Sequence, residues 1–191
     1  MATLRVLTIP GSLRKASYNR KLLTLAESYL EKLPVEIDRM DLYDLPLPPY
    51  DGDIEAQGLP PNAWTIKARI AAAHGVIIAA PEYNYGMSGT FKNVIDWTSR
   101  GGSNPWIGKV VGMMGASNGP IGTWRMMPQL RATLSGLQAL VIPQQVNVRE
   151  APKVWNELGE LIDPKLPELV EKFVRAYVRT LELMKGAEAK G

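Results

Sequence analysis

The apolar positions fall into short runs broken by Pro and Gly, and their period changes along the chain. Residues 6–9 are apolar and β-branched and predict a strand, which Pro10-Gly11 ends. Ser17 then stands at a helix N-cap position, and Leu22, Leu23, Ala26 and Leu30 follow at helical spacing until Pro34. Residues 35–40 alternate apolar and polar, as in a strand nearer a sheet edge. Residues 41–62 are rich in Pro, Asp and Gly and predict a long irregular connection. Residues 64–73 read as a helix closed by Gly75. The wholly apolar run 76–80 then reads as a strand buried on both faces.

Further along, residues 81–89 read as a loop. Residues 90–100 read as a helix with Phe91, Val94, Ile95 and Thr98 on one side. Residues 109–114 predict a fourth strand. Residues 123–136 predict a helix bent at Pro128, which lacks a backbone donor. Segments 139–142 and 146–148 form a fifth strand interrupted at Pro143, and residues 164–185 a terminal helix. Strands alternating with helices demand a mostly parallel sheet with helices on both faces. With right-handed crossovers, five strands and a ligand loop after the first, the expected fold is an α/β, flavodoxin-like, doubly wound five-stranded parallel sheet of order 2-1-3-4-5.

Composition narrows the function classes. A chain of 191 residues, 46% hydrophobic and 21% charged, suits one domain spanning 1–191 with its own core. Cysteine is absent, which removes disulfides, thiolate metal sites and Cys nucleophiles. The net charge of +3 is interleaved with acidic residues, except near Arg14-Lys15 and Arg20-Lys21. That pattern favours a small anionic ligand over nucleic acid. The N-terminus runs straight into strand-like sequence without a leader pattern, and no apolar window reaches membrane-spanning length. A cytoplasmic protein without a membrane partner is therefore expected.

In doubly wound sheets ligands bind beyond the carboxyl ends of the strands, at the switch point. Three turns are expected there. The first, Gly11-Ser12-Leu13-Arg14-Lys15-Ala16-Ser17-Tyr18-Asn19, leads into a helix N-terminus, where free N–H groups and the dipole favour a phosphate. Ser12, Ser17 and Asn19 offer neutral donors there and Arg14 a charged one. The turn is neither G-x-G-x-x-G nor a Gly-Lys-Ser/Thr P-loop, which argues against a Rossmann dinucleotide turn and against triphosphate hydrolysis. The second, Pro81-Glu82-Tyr83-Asn84-Tyr85-Gly86, presents two tyrosines suited to packing on a flat ring. The third, Ser117-Asn118-Gly119-Pro120-Ile121-Gly122, is Gly-rich enough for backbone to approach a ring. Taken singly, each also reads as an ordinary connector: a Ser-capped helix start with solvated basic neighbours, surface tyrosines at a turn, and a plain Gly-rich bend.

Two longer motifs carry a resemblance. Gly11-Ser12-Leu13-Arg14-Lys15-x-Ser17-x-Asn19-Arg20-Lys21-Leu22 is one. The other joins Pro81-Glu82-Tyr83-Asn84-Tyr85 to Gly89-x-x-Lys92-Asn93-x-Ile95-Asp96-Trp97-x-Ser99-Arg100. At this separation the sequence resembles the NADPH-dependent FMN reductase family, with its chromate reductases, quinone reductases and azoreductases, over most of residues 4–148. The resemblance implies FMN as cofactor and NADPH or NADH as co-substrate. The acceptor it implies is a small quinone, azo compound, chromate or ferric species, or free flavin. It implies a homodimer or homotetramer. It places the FMN phosphate on Ser12, Leu13, Arg14, Lys15, Ala16, Ser17, Tyr18 and Asn19. Pro81, Glu82, Tyr83, Asn84 and Tyr85 would line the ring, with Ser117 and Gly119 near its pyrimidine side. No side chain is expected to be catalytic, because the hydride chemistry belongs to the flavin, and no metal is expected. Pro10, Gly86, Ser88 and Thr123 depart from the family pattern. A flavodoxin-type electron carrier without turnover of its own is the alternative from another class, and a flavin-free interaction protein on the same scaffold is a second.

Other residues read more plainly. His74, the single histidine, follows a helix and is expected as a capping or dipole partner. Without a G-x-S-x-G elbow it has no catalytic serine to serve. Asp41, Asp44, Asp51 and Asp53 lack EF-hand spacing and read as a solvated loop. The eight methionines read as core filler or pocket wall. Phe91 and Trp97 read as core or as subunit contact. Arg125 and Arg131 read as solvated helix charges, with a pocket or interface role open for Arg125.

Overall fold

A computed structural model describes residues 3–188. The chain runs β1 (Leu4–Pro10), α1 (Tyr18–Leu30), β2 (Val35–Arg39), α2 (Gly52–Gln57), α3 (Pro61–Ala72), β3 (Gly75–Ala79), β4 (Glu82–Tyr83), β5 (Gly86–Met87) and α4 (Gly89–Thr98). It continues with β6 (Val110–Ala116), α5 (Met126–Gly136), β7 (Leu140–Val148), a 3₁₀ turn (Ala151–Lys153) and α6 (Leu166–Glu188). Five strands form one sheet in the order β2-β1-β3-β6-β7, every neighbouring pair parallel. Counted along the chain, that is the expected order 2-1-3-4-5.

The central strands send alternate residues to two cores. Val76 and Ile78 of β3 pack with Ile66 and Ile70 of α3, Phe91 and Val94 of α4, and Leu130 of α5. Ile77 and Ala79 pack on the other face with Leu22 and Ala26 of α1 and Val170 and Phe173 of α6. Gly75 does not close the preceding helix; it opens β3. A Cβ there would sit 2.4 Å from the Tyr177 hydroxyl and 2.6 Å from the Val110 carbonyl oxygen, so the position admits only glycine. Tyr177 is fully buried, donates to Val110 O at 3.3 Å, and has its hydroxyl pKa pushed well above the ordinary value by burial.

Several boundaries differ from expectation for identifiable reasons. The segment 41–62 contains α2, whose N-terminus is capped by Asp51 accepting from Asp53 N. α3 starts at Pro61 rather than Trp64, because proline suits the first helical turn. Pro128 also lies in a first turn, that of α5, so the predicted bend has no missing bond to cause it. β7 continues through Pro143. There the register with β6 slips, from Val111↔Val141 to Met113↔Gln145, and proline is tolerated at such an irregularity on an edge strand. Arg131 is not a solvated charge: its guanidinium donates to Val141 O at 3.1 Å and Ile142 O at 2.9 Å, beside that slip.

The proline-rich segment is stapled to α4. Asn93 accepts from Tyr50 N and donates to Pro48 O, and the Trp97 indole donates to Pro48 O, each at 2.8 Å. Phe91 and Trp97 are fully buried within the chain's own core. Asp41 is not simply solvated, since both its oxygens accept from the Arg20 guanidinium. His74 ties the end of α3 to β1 and lies beside α6: its Nδ1 accepts from Arg5 N at 2.9 Å, and its Nε2 is 3.2 Å from Lys185 Nζ. Among the described residues no helix is long and apolar enough to cross a membrane.

Candidate functional site

The three turns emerge side by side because their parent strands are neighbours. The first leaves β1 with Gly11 N donating to Ala79 O at 2.8 Å. The second leaves β3 with Ala80 N donating to Met114 O at 3.0 Å, and the third leaves β6 with Ser117 N donating to Val148 O at 3.1 Å. Gly11 lies so close to the second turn that a Cβ would come 2.8 Å from Ala80 Cβ. The buried Ser88 hydroxyl then ties the two turns by donating to Gly11 O at 2.7 Å, while accepting from Phe91 N to cap α4. The departure from the family pattern at Ser88 is therefore a structural tie.

The first turn is closed by side chains that are nearly all buried. Ser17 caps α1 by accepting from Asn19 N at 3.2 Å, and Ser12 Oγ accepts from Arg14 N at 3.3 Å. Asn19 is not a spare donor. Its side chain donates to Ala116 O at 2.9 Å and accepts from Ala116 N at 2.8 Å, joining the first turn to the end of β6. Arg20 Nε donates to Arg14 O at 3.1 Å while its other nitrogens hold Asp41. The guanidinium keeps the Asp41 carboxyl below its ordinary pKa, chiefly through that hydrogen bond. Tyr18 stacks on Trp155, ring centroids 5.5 Å apart. Leu13, Arg14, Lys15 and Ala16 are exposed.

The second turn, expected as a plain loop, is a hairpin in which β4 and β5 pair antiparallel. Its two central residues are left-handed, Asn84 with φ 48° and Tyr85 with φ 67°. Such a turn suits Asn, but it strains a bulky residue such as Tyr85. The Glu82 carboxylate accepts from Arg125 N and Met126 N, each at 2.9 Å, and Gln129 donates to Tyr85 O at 2.9 Å. Arg125 is not merely solvated: its guanidinium lies 4.3 Å from the centre of the Tyr85 ring.

The third turn is tied to the far end of β7. Glu150 N donates to Gly119 O and Ala151 N to Ser117 O, both at 3.0 Å. The buried Thr123 donates its N–H to Asn147 Oδ1 at 2.7 Å.

A cleft of about 220 Å³ lies where the turns meet. Of the residues singled out in the sequence, Ser12, Arg14, Ser17, Tyr18, Asn19, Pro81, Glu82, Tyr83 and Ser117 line it. Leu13, Lys15, Ala16, Asn84, Tyr85 and Gly119 lie outside its wall, and Ala116 and Asn118 join it. A larger cavity, about 520 Å³, sits on the other side of the first turn, between Leu13, Tyr43, Leu47 and the start of α4. Its apolar wall holds no cation and few donors. The smaller cleft has hydroxyls, the N-terminus of α1 and the Arg14 guanidinium, which is the donor set a phosphomonoester needs. The residues present thus fit the phosphate end of FMN. Among the described residues no cluster of His, Cys, Asp or Glu could hold a metal ion.

Five parallel strands in this order, with a hydroxyl-lined cleft at the β1/β3 switch point, define the flavodoxin-like class. The sequence pattern of the NADPH-dependent FMN reductases matches residues 4–153, and the chain belongs to that family. It is 35% identical over 184 residues to an NAD(P)H-dependent FMN reductase of Pseudomonas aeruginosa, covering 96% of this chain and 98% of that protein. It is 38% identical over 169 residues to a quinone reductase of Escherichia coli, covering 84% and 86% of the two chains. The structure of FerB, a flavoenzyme NAD(P)H:(acceptor) oxidoreductase from Paracoccus denitrificans, superposes with a TM-score of 0.82 at 29% identity. That match covers 95% of this chain and 99% of the other.

Proposed function

We propose that the protein is an FMN-dependent oxidoreductase that draws a hydride from NADPH or NADH and reduces a small acceptor such as a quinone. The observation that carries the reading is the convergence of three turns on a hydroxyl-lined cleft at the switch point. The family and the named activities of its relatives support it. When bound, FMN supplies the redox chemistry itself.

The chain's part is binding and orientation. Ser12, Ser17 and the amide of Tyr18 at the start of α1 hold the phosphate, Arg14 neutralises it, and Leu13, Lys15 and Ala16 carry the turn around it. Asn19 keeps that turn in register with β6. Pro81 and the hairpin of Glu82, Tyr83, Asn84 and Tyr85 form the wall for the ring, with Ser117 and Gly119 on its pyrimidine side. Tyr83 and Tyr85 are 48% and 62% exposed, which leaves the ring side open to a nicotinamide and then to an acceptor. No side chain need act as nucleophile or general acid, because water can deliver the protons.

The proposal extends to one FMN-binding domain over 1–191, acting in the cytoplasm as a homodimer or homotetramer with a small-molecule acceptor as its partner. The test is an absorption spectrum of the purified protein with added FMN, followed by NADPH and NADH oxidation with a quinone. A flavin spectrum and steady turnover are expected. Bound flavin with turnover only in the presence of a separate reductase would make the protein an electron carrier, and absence of flavin binding would overturn the reading. Light scattering of a single-chain particle would overturn the oligomer.

A further inference from the structure

Helix α5 begins without a side-chain cap of its own: Arg125, at the N-cap position, has helical backbone angles and makes no capping bond. The cap comes from a hairpin more than forty residues earlier in the chain, where one Glu82 oxygen accepts from both Arg125 N and Met126 N. A carboxylate at this end of a helix meets both free N–H groups and the positive end of the dipole. One turn further on, Gln129 donates to Tyr85 O, at the tip of the same hairpin. The hairpin is thus held at its root and at its tip by a single helix. Its own ladder joins only Glu82 to Met87 and Tyr83 to Gly86, and a hairpin so short is not stable alone. Its tip also carries Tyr85 in a left-handed conformation, which must be held by surroundings.

We infer that Glu82 is a positioning residue: its carboxylate caps α5 and, together with Gln129, holds the hairpin 82–87 in the form that faces the cofactor. The assignment rests on the proposed reading that this hairpin lines FMN. It gives Glu82 a role through α5 and through main-chain amides, with no proton transfer to any substrate.

The test uses the full chain and the variants Glu82→Ala, Glu82→Gln and Gln129→Ala. Amide hydrogen exchange is followed at 82–87 and 125–126 without flavin, and FMN affinity by fluorescence titration. Glu82→Ala is expected to speed exchange in both segments and to weaken FMN about tenfold. Glu82→Gln keeps an acceptor oxygen but loses the charge, so its FMN affinity is expected within about threefold of the native protein. Turnover of the alanine variant is expected to recover when FMN is added in excess. Gln129→Ala is expected to loosen only the tip, weakening FMN by about two- to threefold; it decides the matter if Glu82→Ala does not fold. Unchanged exchange and affinity in the folded variants would overturn the assignment. So would a Gln variant as impaired as the Ala variant, with turnover that excess FMN does not restore. Native protein that fails to take up FMN would instead defeat the functional reading, while the exchange data would still decide the clamp.

Discussion

The turn after β1 and the hairpin after β3 face the same cleft but are built in opposite ways. The first is anchored by groups that solvent hardly reaches: Ser12, Ser17 and Asn19 are 3%, 5% and 3% exposed. Its ties run to two neighbouring strands and to α4. The hairpin exposes both its tyrosines, packs Met87 against the core, and takes the hydrogen bonds at its root and tip from α5. Under the proposed reading, a phosphate would need the fixed donors of the first turn, and the ring would lie against a wall whose shape is set from α5.

The sharpest way to break this contrast is Asn19→Ala. It leaves the N–H and C=O of Ala116 without their partner in a buried place, and a loss of about 3 kcal/mol in urea unfolding is expected. A loss below about 1 kcal/mol would show that the first turn is not anchored as described. Arg14→Ala sharpens the contrast from the other side. The side chain is exposed, so stability should hold while FMN affinity falls about tenfold by fluorescence titration. Unchanged affinity would remove Arg14 from the phosphate site.

The smallest effect concerns pH. Asp41 has its pKa lowered in the folded chain, so its pairing with Arg20 stabilises the fold above the ordinary carboxyl value of 3.8. That contribution disappears as pH falls through the lowered folded value. The pair is partly solvated, and less than about 1 kcal/mol should separate native protein from Asp41→Asn at pH 7. The gap should close in acid. A gap that persists at low pH would mean that the aspartate acts by shape alone.

What was legible in the sequence was local. The Ser17 cap, the apolar run of β3 and the stripe of α6 each declare themselves within a few residues, and their order fixes the sheet. What escaped was either very short or held from afar. β4 and β5 have two residues each, too few for alternation to register. α2 hides among Pro and Gly. Asn19 meets Ala116 across 97 positions and Glu82 meets Met126 across 44. Arg131 and Asp41 looked like surface charges because their partners, the β7 carbonyls and Arg20, are brought near only by folding.

The slip in β7 has a consequence for how copies of the chain can meet. β7 is an outer strand of the sheet, and a straight outer strand is a template onto which a foreign backbone can add. Here Pro143 removes a donor, the register breaks, and Arg131 occupies the carbonyls of Val141 and Ile142. Along residues 141–143 that rim therefore offers a foreign strand a poorer template than a straight edge would.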